Sequence, residues 1–532
     1  MKHNRERQQQ HKERVSISLF ERIQPDAAGI DCGQRSHFVA VAPERDSQPV
    51  REFGSFTPDL VRLAEWLKQC QVTTVAMEST GVYWIPLYEL LEQHGFEVLL
   101  VNAREVHNVR GRKSDVSDSE WLRQLHSVGL LRPSFRPADA MVPLRALLRQ
   151  RATLVEELST RIQRMQKALT EMNLLLHTVV SDISGVTGFK IIGAILKGER
   201  DPEQLALHRD GRVRASHQQL VAALTGNYRA EHLFALKQNF EAHQFHLRQI
   251  VECDQEIEKL LGQLAQQQPP PATALPAARR TQVSKKHAPS FDLRSPLHRM
   301  TGGADLSQID SIGPLAALQI VAEVGTDMSR WKTEHHFAAW TTLAPNNRIS
   351  GGRLLSSRTR PSANRVATIL RRCAMAAGKT QSALGAFYRR LAARIGKAKA
   401  ITATARKLAL LVYRVLAGTL VYQDSGADAY HLLNRNRLLK SLRKRARLLG
   451  LQVLDPNSGE LLAYICFLGG IPIFSVALAP KLARPESSSA LPGLSCMDRG
   501  DGLRVIGQMV YTWSSLARRS MVRIGVVQKK TW

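Results

Sequence analysis

The chain has 532 residues, 44% of them hydrophobic, and carries 74 Lys and Arg against 46 Asp and Glu, a formal net charge of +28. That apolar content excludes a disordered protein and allows about three packed domains. The charge calls for a polyanionic partner; nucleic acid is the simplest, and a ribosomal or membrane surface satisfies it equally well.

Residues 1–25 form a basic, polar arm with no apolar core, so they are not a secretory signal. Short apolar runs at 28–31, 38–41 and 51–56 predict three hairpin-like strands. A helix at 60–70, a buried strand at 73–77, a helix at 83–93 and a strand at 97–101 follow. This order predicts a mixed α/β sheet domain over 26–140, compatible with the ribonuclease-H-like (RuvC-like) fold and with several other α/β folds. Long amphipathic helices at 144–177 and 231–266 make 141–265 a helical region. They read as an antiparallel or intermolecular coiled coil, or as two helices of an ordinary bundle. The stretch between them, 180–230, is glycine-containing and poorly patterned. Residues 266–300 read as a Pro/Ala-rich linker with no means of forming a core. An all-α domain over 301–424 and a basic helix over 425–454 complete the patterned part. The tail, 455–532, is unassigned; its run 461–479 has the length of a membrane span, interrupted by Gly469, Gly470 and Pro472. The six cysteines never form a C-x-x-C pair, which argues against a zinc site or disulfide framework and fits a reducing cytoplasm.

Four acids carry the first chemical signal. Asp31 ends the first strand, Glu78 follows the strand at 73–77, and Asp115 and Asp118 open a helix after the last strand. Spaced by three, Asp115 and Asp118 share one helical face, with Ser114 as N-cap. Singly, these are a turn aspartate, a surface glutamate and a helix cap. Together, at strand ends and a helix start, they can face one point and hold two Mg²⁺ ions about 3.5–4 Å apart, clamping a phosphodiester. The second signal is Ser350, beside Gly351 and Gly352 and flanked by Arg348 and Arg353. Composition alone makes it a phosphate-binding loop on a flexible segment, because no local His or Asp completes a triad. Third, Ile312-Gly313-Pro314 before an Ala-rich helix looks like half of a helix-hairpin-helix, with Gly313 at a DNA phosphate. Fourth, Arg358, Arg360, Arg365, Arg371, Arg372, Arg389, Arg390, Arg394, Lys397 and Lys399 form a basic run with few interleaved acids, read as nucleic-acid contact, as is Lys113 before the acid pair.

Taken in order, these motifs resemble the DEDD-type insertion-sequence transposases, the RNA-guided bridge recombinases. The matching segments are Gly29-Ile30-Asp31, Glu78-Ser79-Thr80-Gly81-Val82-Tyr83, Lys113 to Asp118, Ile312-Gly313-Pro314, Phe337 to Trp340, Leu343-Ala344-Pro345, Ser350-Gly351, Phe387 to Leu391 and Ala405 to Leu408. The resemblance implies a Holliday-junction-resolvase-like domain in which Asp31, Glu78, Asp115 and Asp118 coordinate Mg²⁺. It also implies a helical transposase domain whose Ser350 attacks DNA to form a phosphoserine link. The family's active site is composite, with acids and serine from different subunits of a dimer or tetramer. A structured non-coding guide RNA pairs with donor and target DNA, and the setting is the bacterial cytoplasm, at the nucleoid. The chain departs from the family at Asp310-Ser311, where a Pro-Gly is usual, and in its tail. Two other readings stay open: a junction-resolving nuclease using the acids with water, and a decayed element copy that only binds nucleic acid.

Overall fold

The computed structural model describes residues 22–79, 81–102, 115–137, 139–279, 287–454 and 525–527; the side chains of 115–117, 139, 452 and 525–527 are not among those described. Most of the arm 1–25, Lys113 and the apolar run 461–479 therefore lie outside the described residues. The chain divides into two compact units at Asp139/Ala140.

The first unit is built on one sheet of five strands. They are β1 (Ala27–Cys32), β2 (Ser36–Ala40), β3 (Val50–Gly54), β4 (Thr74–Glu78) and β5 (Glu97–Val101). Their order is β3-β2-β1-β4-β5, with β1, β2 and β3 antiparallel and β4 and β5 parallel to β1. The mixed α/β sheet expected from the sequence is present. Alternation along each strand gives two buried faces. Ala28, Ile30, Cys32, Val75 and Met77 pack under α1 (Thr57–Gln69) and α2 (Trp84–Gln93). Ala76, Leu99 and Val101 take the other face, covered by Leu122 and Leu125 of α3 (Asp115–Ser127).

Gly29 makes the fit of α3 possible. A Cβ there would stand 2.3 Å from both the Ser119 carbonyl oxygen and the Arg123 amide nitrogen, inside the backbone of α3. Glycine within a strand marks this kind of close backbone approach. A Gly29→Val chain is expected to lose about 3 kcal/mol of stability, since backbone rather than a flexible side chain must give way. Urea unfolding of the full chain checks this; an unchanged midpoint would show that α3 does not lie against β1.

In the second unit, α4 (Val142–Glu171) and α9 (Ala230–Gln266) pair antiparallel. Arg151 faces Asp254, Glu157 faces His246 and Glu171 faces His232, over a core of Leu154, Leu158 and Ile250. The Arg151 side chain is only 4% exposed; its guanidinium donates to both Asp254 oxygens, at 2.5 and 3.1 Å, and to the His287 carbonyl at 2.6 Å. The first long helix stops at Glu171, short of the expected 177. The stretch read as poorly patterned is a compact module: α5 (Leu176–Val179), α6 (Val186–Leu196), α7 (Pro202–Ala206) and α8 (His217–Leu224) share a core with Met165, Leu169 and Leu236.

The Pro-rich segment is not a free spacer where it is described. It contains α10 (Arg294–Met300), Arg294 donates to the Pro276 carbonyl and pairs with Asp305, and Arg279 pairs with Asp310. Beyond it lie α11 (Pro314–Val324), α12 (Glu334–Trp340), α13 (Arg365–Ala377), α14 (Ala383–Ile395), α15 (Lys397–Leu416) and α16 (Gly426–Leu448). Trp331, Phe337, Trp340 and Tyr413 form an aromatic cluster at its centre. The region is helical, but not all-α. A hairpin of β6 (Arg348–Ser350) and β7 (Arg353–Ser356) interrupts it, and β8 (Gln452–Leu454) pairs with β9 (Gly525–Val527) after α16. Among the described residues no helix is long and apolar enough to cross a membrane.

Candidate active site

Register places the first two acids. In the parallel β1–β4 pair Ile30 stands opposite Met77, so the next residues, Asp31 and Glu78, sit side by side at the strand ends, with Cα atoms about 5 Å apart. By the two-residue alternation both belong to the α3 face, in line with Gly29 and Ala76. Their shared neighbourhood is felt on the opposite face. The buried Cys32 thiol is pushed up to about 12, first by burial and then by the charges of Asp31 and Glu78. Such a thiol stays protonated at neutral pH and is a poor nucleophile.

Helix α3 brings the aspartates to the same edge. Its C-terminal end is fixed where His126 Nε2 stands 2.9 Å from Thr74 Oγ1, at the first residue of β4. From there α3 runs back antiparallel to β4, past Gly29. Eight residues of helix, from His126 to Asp118, span ~12 Å, and four of strand, from Thr74 to Glu78, span ~13 Å. Asp118 therefore comes level with Glu78. Asp115, one turn further on, opens the helix; its side chain is not among those described. By this count Asp31, Glu78 and Asp118 lie toward the same end of the sheet. Among the described residues no three His, Cys, Asp or Glu side chains are close enough to hold a metal ion. The donor set, all carboxylate oxygens, is nonetheless the type that hard cations such as Mg²⁺ take.

The anchors of α3 are what sequence reasoning missed. Gly29 had a signal, a glycine inside an apolar strand; His126 had none. Burial lowers His126 from 6.5 to about 4, so it is neutral at physiological pH. The unfolded chain binds this proton more readily. The His126 contribution is therefore complete above pH ~6.5 and fades as pH falls towards ~4, by up to ~3 kcal/mol. Stability of the full chain followed by urea unfolding across that range is expected to drop accordingly, and His126→Asn to flatten the drop.

Ser350 is not on a flexible loop. It is the last residue of β6, paired with Arg353 across the two-residue turn Gly351-Gly352, whose φ values are +53° and +74°. Both turn residues are left-handed, as tight hairpins demand and glycine allows. All of the hairpin but Ser356 is exposed: Ser350, Arg348 and Arg353 to solvent, and so are Ile349, Leu354 and Leu355. The Arg358 carbonyl accepts from Asn346 at 3.1 Å, so Arg358 joins the hairpin base; it and Arg360 are exposed. Arg372 is exposed on α13, and Arg371 half-buried.

Two parts of the basic run are committed within the fold. Arg389 donates to the Gly378 and Thr380 carbonyls, and Arg390 to the Tyr430 hydroxyl. Gly313 caps the N-terminus of α11, ahead of Pro314. The unusual Asp310-Ser311 before it is accommodated: Asp310 is buried against Arg279 and Tyr422, and Ser311 takes φ +69°, a conformation glycine adopts without penalty.

Comparison with known families agrees in both units. A transposase family model, the DEDD transposase of the IS110 type, matches residues 28–174, and one described as transposase IS116/IS110/IS902 family matches residues 303–389. The first contains all four acids and the second Ser350. The chain belongs to the IS110 family of transposases. It is thus a DEDD-type transposase, an enzyme that recombines DNA. No curated protein sequence matches it.

Proposed function

We propose that this transposase cuts and rejoins DNA at the ends of an insertion sequence, with Asp31, Glu78, Asp115 and Asp118 as the metal-binding acids and Ser350 as the nucleophile. The β1–β4 register, which sets Asp31 beside Glu78, and the seating of α3 by His126, which directs Asp118 toward the same end of the sheet, support this reading. An antiparallel meander β1-β2-β3 extended by parallel β4 and β5 supports a ribonuclease-H-like domain. Close carboxylates repel one another unless a proton or cation intervenes, so the acids together favour binding of a divalent cation. Bound there, Mg²⁺ would neutralise phosphate charge and favour an ionised attacking oxygen.

Ser350 Oγ attacks the phosphorus of a scissile phosphodiester. The bond from phosphorus to the departing deoxyribose oxygen breaks, that oxygen takes a proton, and Ser350 loses its own. Attack by a deoxyribose hydroxyl of another strand reverses the exchange and frees Ser350, so the phosphodiester count is conserved. No residue from Pro345 to Arg358 is an acid or a histidine. The proton acceptor must therefore be brought to Ser350, which supports a site completed by the acids of a second subunit. Exposed Ile349, Leu354 and Leu355 suit a hairpin that becomes covered on assembly. Arg348, Arg353, Arg358, Arg360, Arg371, Arg372, Lys113 and the N-terminus of α11 at Gly313 serve the DNA backbone and a structured guide RNA. The test is strand exchange between element-end and target DNA, with the transcript of the flanking non-coding DNA. Exchange is expected with Mg²⁺ and the transcript and to vanish with chelator or without the transcript. Exchange that persists in chelator would exclude the metal role.

A further inference from the structure

Three cations from three helices gather beyond the second matched segment, which ends at residue 389. Arg390 of α14 donates from Nε to the Tyr430 hydroxyl of α16 at 2.8 Å. Its guanidinium lies 5.7 Å from the Tyr430 ring centre and 6.0 Å from that of Phe387. Lys407 of α15 places Nζ 4.9 Å from the same Phe387 ring. Arg437 stands seven residues, two turns, beyond Tyr430 on the same face of α16, and Lys407 is held below the ordinary lysine range, first by burial and then by the charges of Arg437 and Arg390.

No carboxylate lies within 4 Å of Arg390, Lys407 or Arg437 among the described residues. By contrast, the enclosed Arg151 and Arg294 of this unit each have a carboxylate, Asp254 and Asp305. Aromatic faces attract cations but leave their charge uncancelled. A group of neighbouring cations without an acid favours an anion brought from outside.

We propose that Arg390, Lys407 and Arg437 form a binding site for one phosphate of a nucleic-acid backbone. The site is built by elements other than those that carry Ser350 and the four acids, and it does not rest on their roles. Phe387 and Tyr430 fix the positions of Arg390 and Lys407, while the exposed Arg437 closes over the phosphate. Because the contact is to backbone, it adds affinity and register without sequence preference.

Lysine footprinting of the full chain tests this. Lys407 is acetylated with a small amine-selective reagent at mildly alkaline pH, alone, with a short duplex DNA of arbitrary sequence, or with a single-stranded RNA of equal length. Modification of Lys407 is expected to slow about fivefold or more with at least one of the two, and Arg437→Gln to remove most of that protection. Protection by DNA alone or by RNA alone supports the site and identifies its strand. Lys407→Arg keeps the charge over Phe387 and is expected to retain nucleic-acid affinity, whereas Lys407→Met, which keeps the apolar stem, lowers the salt dependence of binding by about one ion. An unchanged Lys407 rate with both nucleic acids, or full protection in Arg437→Gln, would overturn the proposal.

Discussion

Replacing Asp31 with Asn is expected to lower DNA strand cleavage by about 10³-fold or more while leaving folding and DNA binding nearly intact. The substitution keeps size and shape, so the packing of β1 against β4 and α3 is preserved. It removes one of the negative charges proposed to hold the cation with Glu78 and Asp118. Fewer charged oxygens hold a cation less well, and the loss falls on the chemical step. Asp118→Asn is expected to act likewise, since Asp118 comes to the same edge along α3. The two losses should not multiply, because either change disables one shared site. The measurement is cleavage rate against Mg²⁺ concentration for both single variants and the double variant. Wild-type rates for Asp31→Asn would remove the acids from the mechanism.

Ser350→Ala is expected to abolish strand exchange altogether, with a residual rate near the uncatalysed one, because the nearby hydroxyls of Ser356 and Ser357 stand at the opposite end of the hairpin from its turn. Ser350 is exposed at a hairpin end, so its removal opens no cavity, and the variant should unfold at the wild-type midpoint. Changing the turn instead leaves the nucleophile but misdirects it. Gly351→Ala and Gly352→Ala each strain a positive φ by about 1 kcal/mol, and reduced rather than absent exchange is expected. If Ser350→Ala still cleaved DNA at the wild-type rate while the Asp31 variant did not, a water-using junction nuclease would be the better account.

Much of the sheet was legible in the sequence, because half-buried strands carry alternation and their turn residues are conspicuous. The four acids drew notice for the same reason: each stands near where a patterned element starts or stops. What brings α3 to them was harder to see. A helix seated through a glycine and a buried His–Thr contact leaves no periodic trace. The β6–β7 hairpin was misread because its apolar residues are exposed and its strands are only three and four residues long. The Gly351-Gly352 pair between short β-prone runs was the available clue. The module 176–224 was missed because its helices, four to eleven residues long, are too short to show a period. The Pro-rich segment was misjudged because its anchors, Arg279 and Arg294 with the buried Leu293, Leu297 and Met300, are too few and too scattered to show a period.

The central claim is that Ser350 becomes covalently joined to DNA. The direct measurement is to stop a strand-exchange reaction with denaturant, digest the protein and DNA, and locate any nucleotide-bearing peptide by mass spectrometry. The account predicts a phosphodiester-linked nucleotide on the peptide containing Ser350, absent in Ser350→Ala and in Asp31→Asn. Cleaved DNA with no protein attached, or a nucleotide on a different residue, would contradict it.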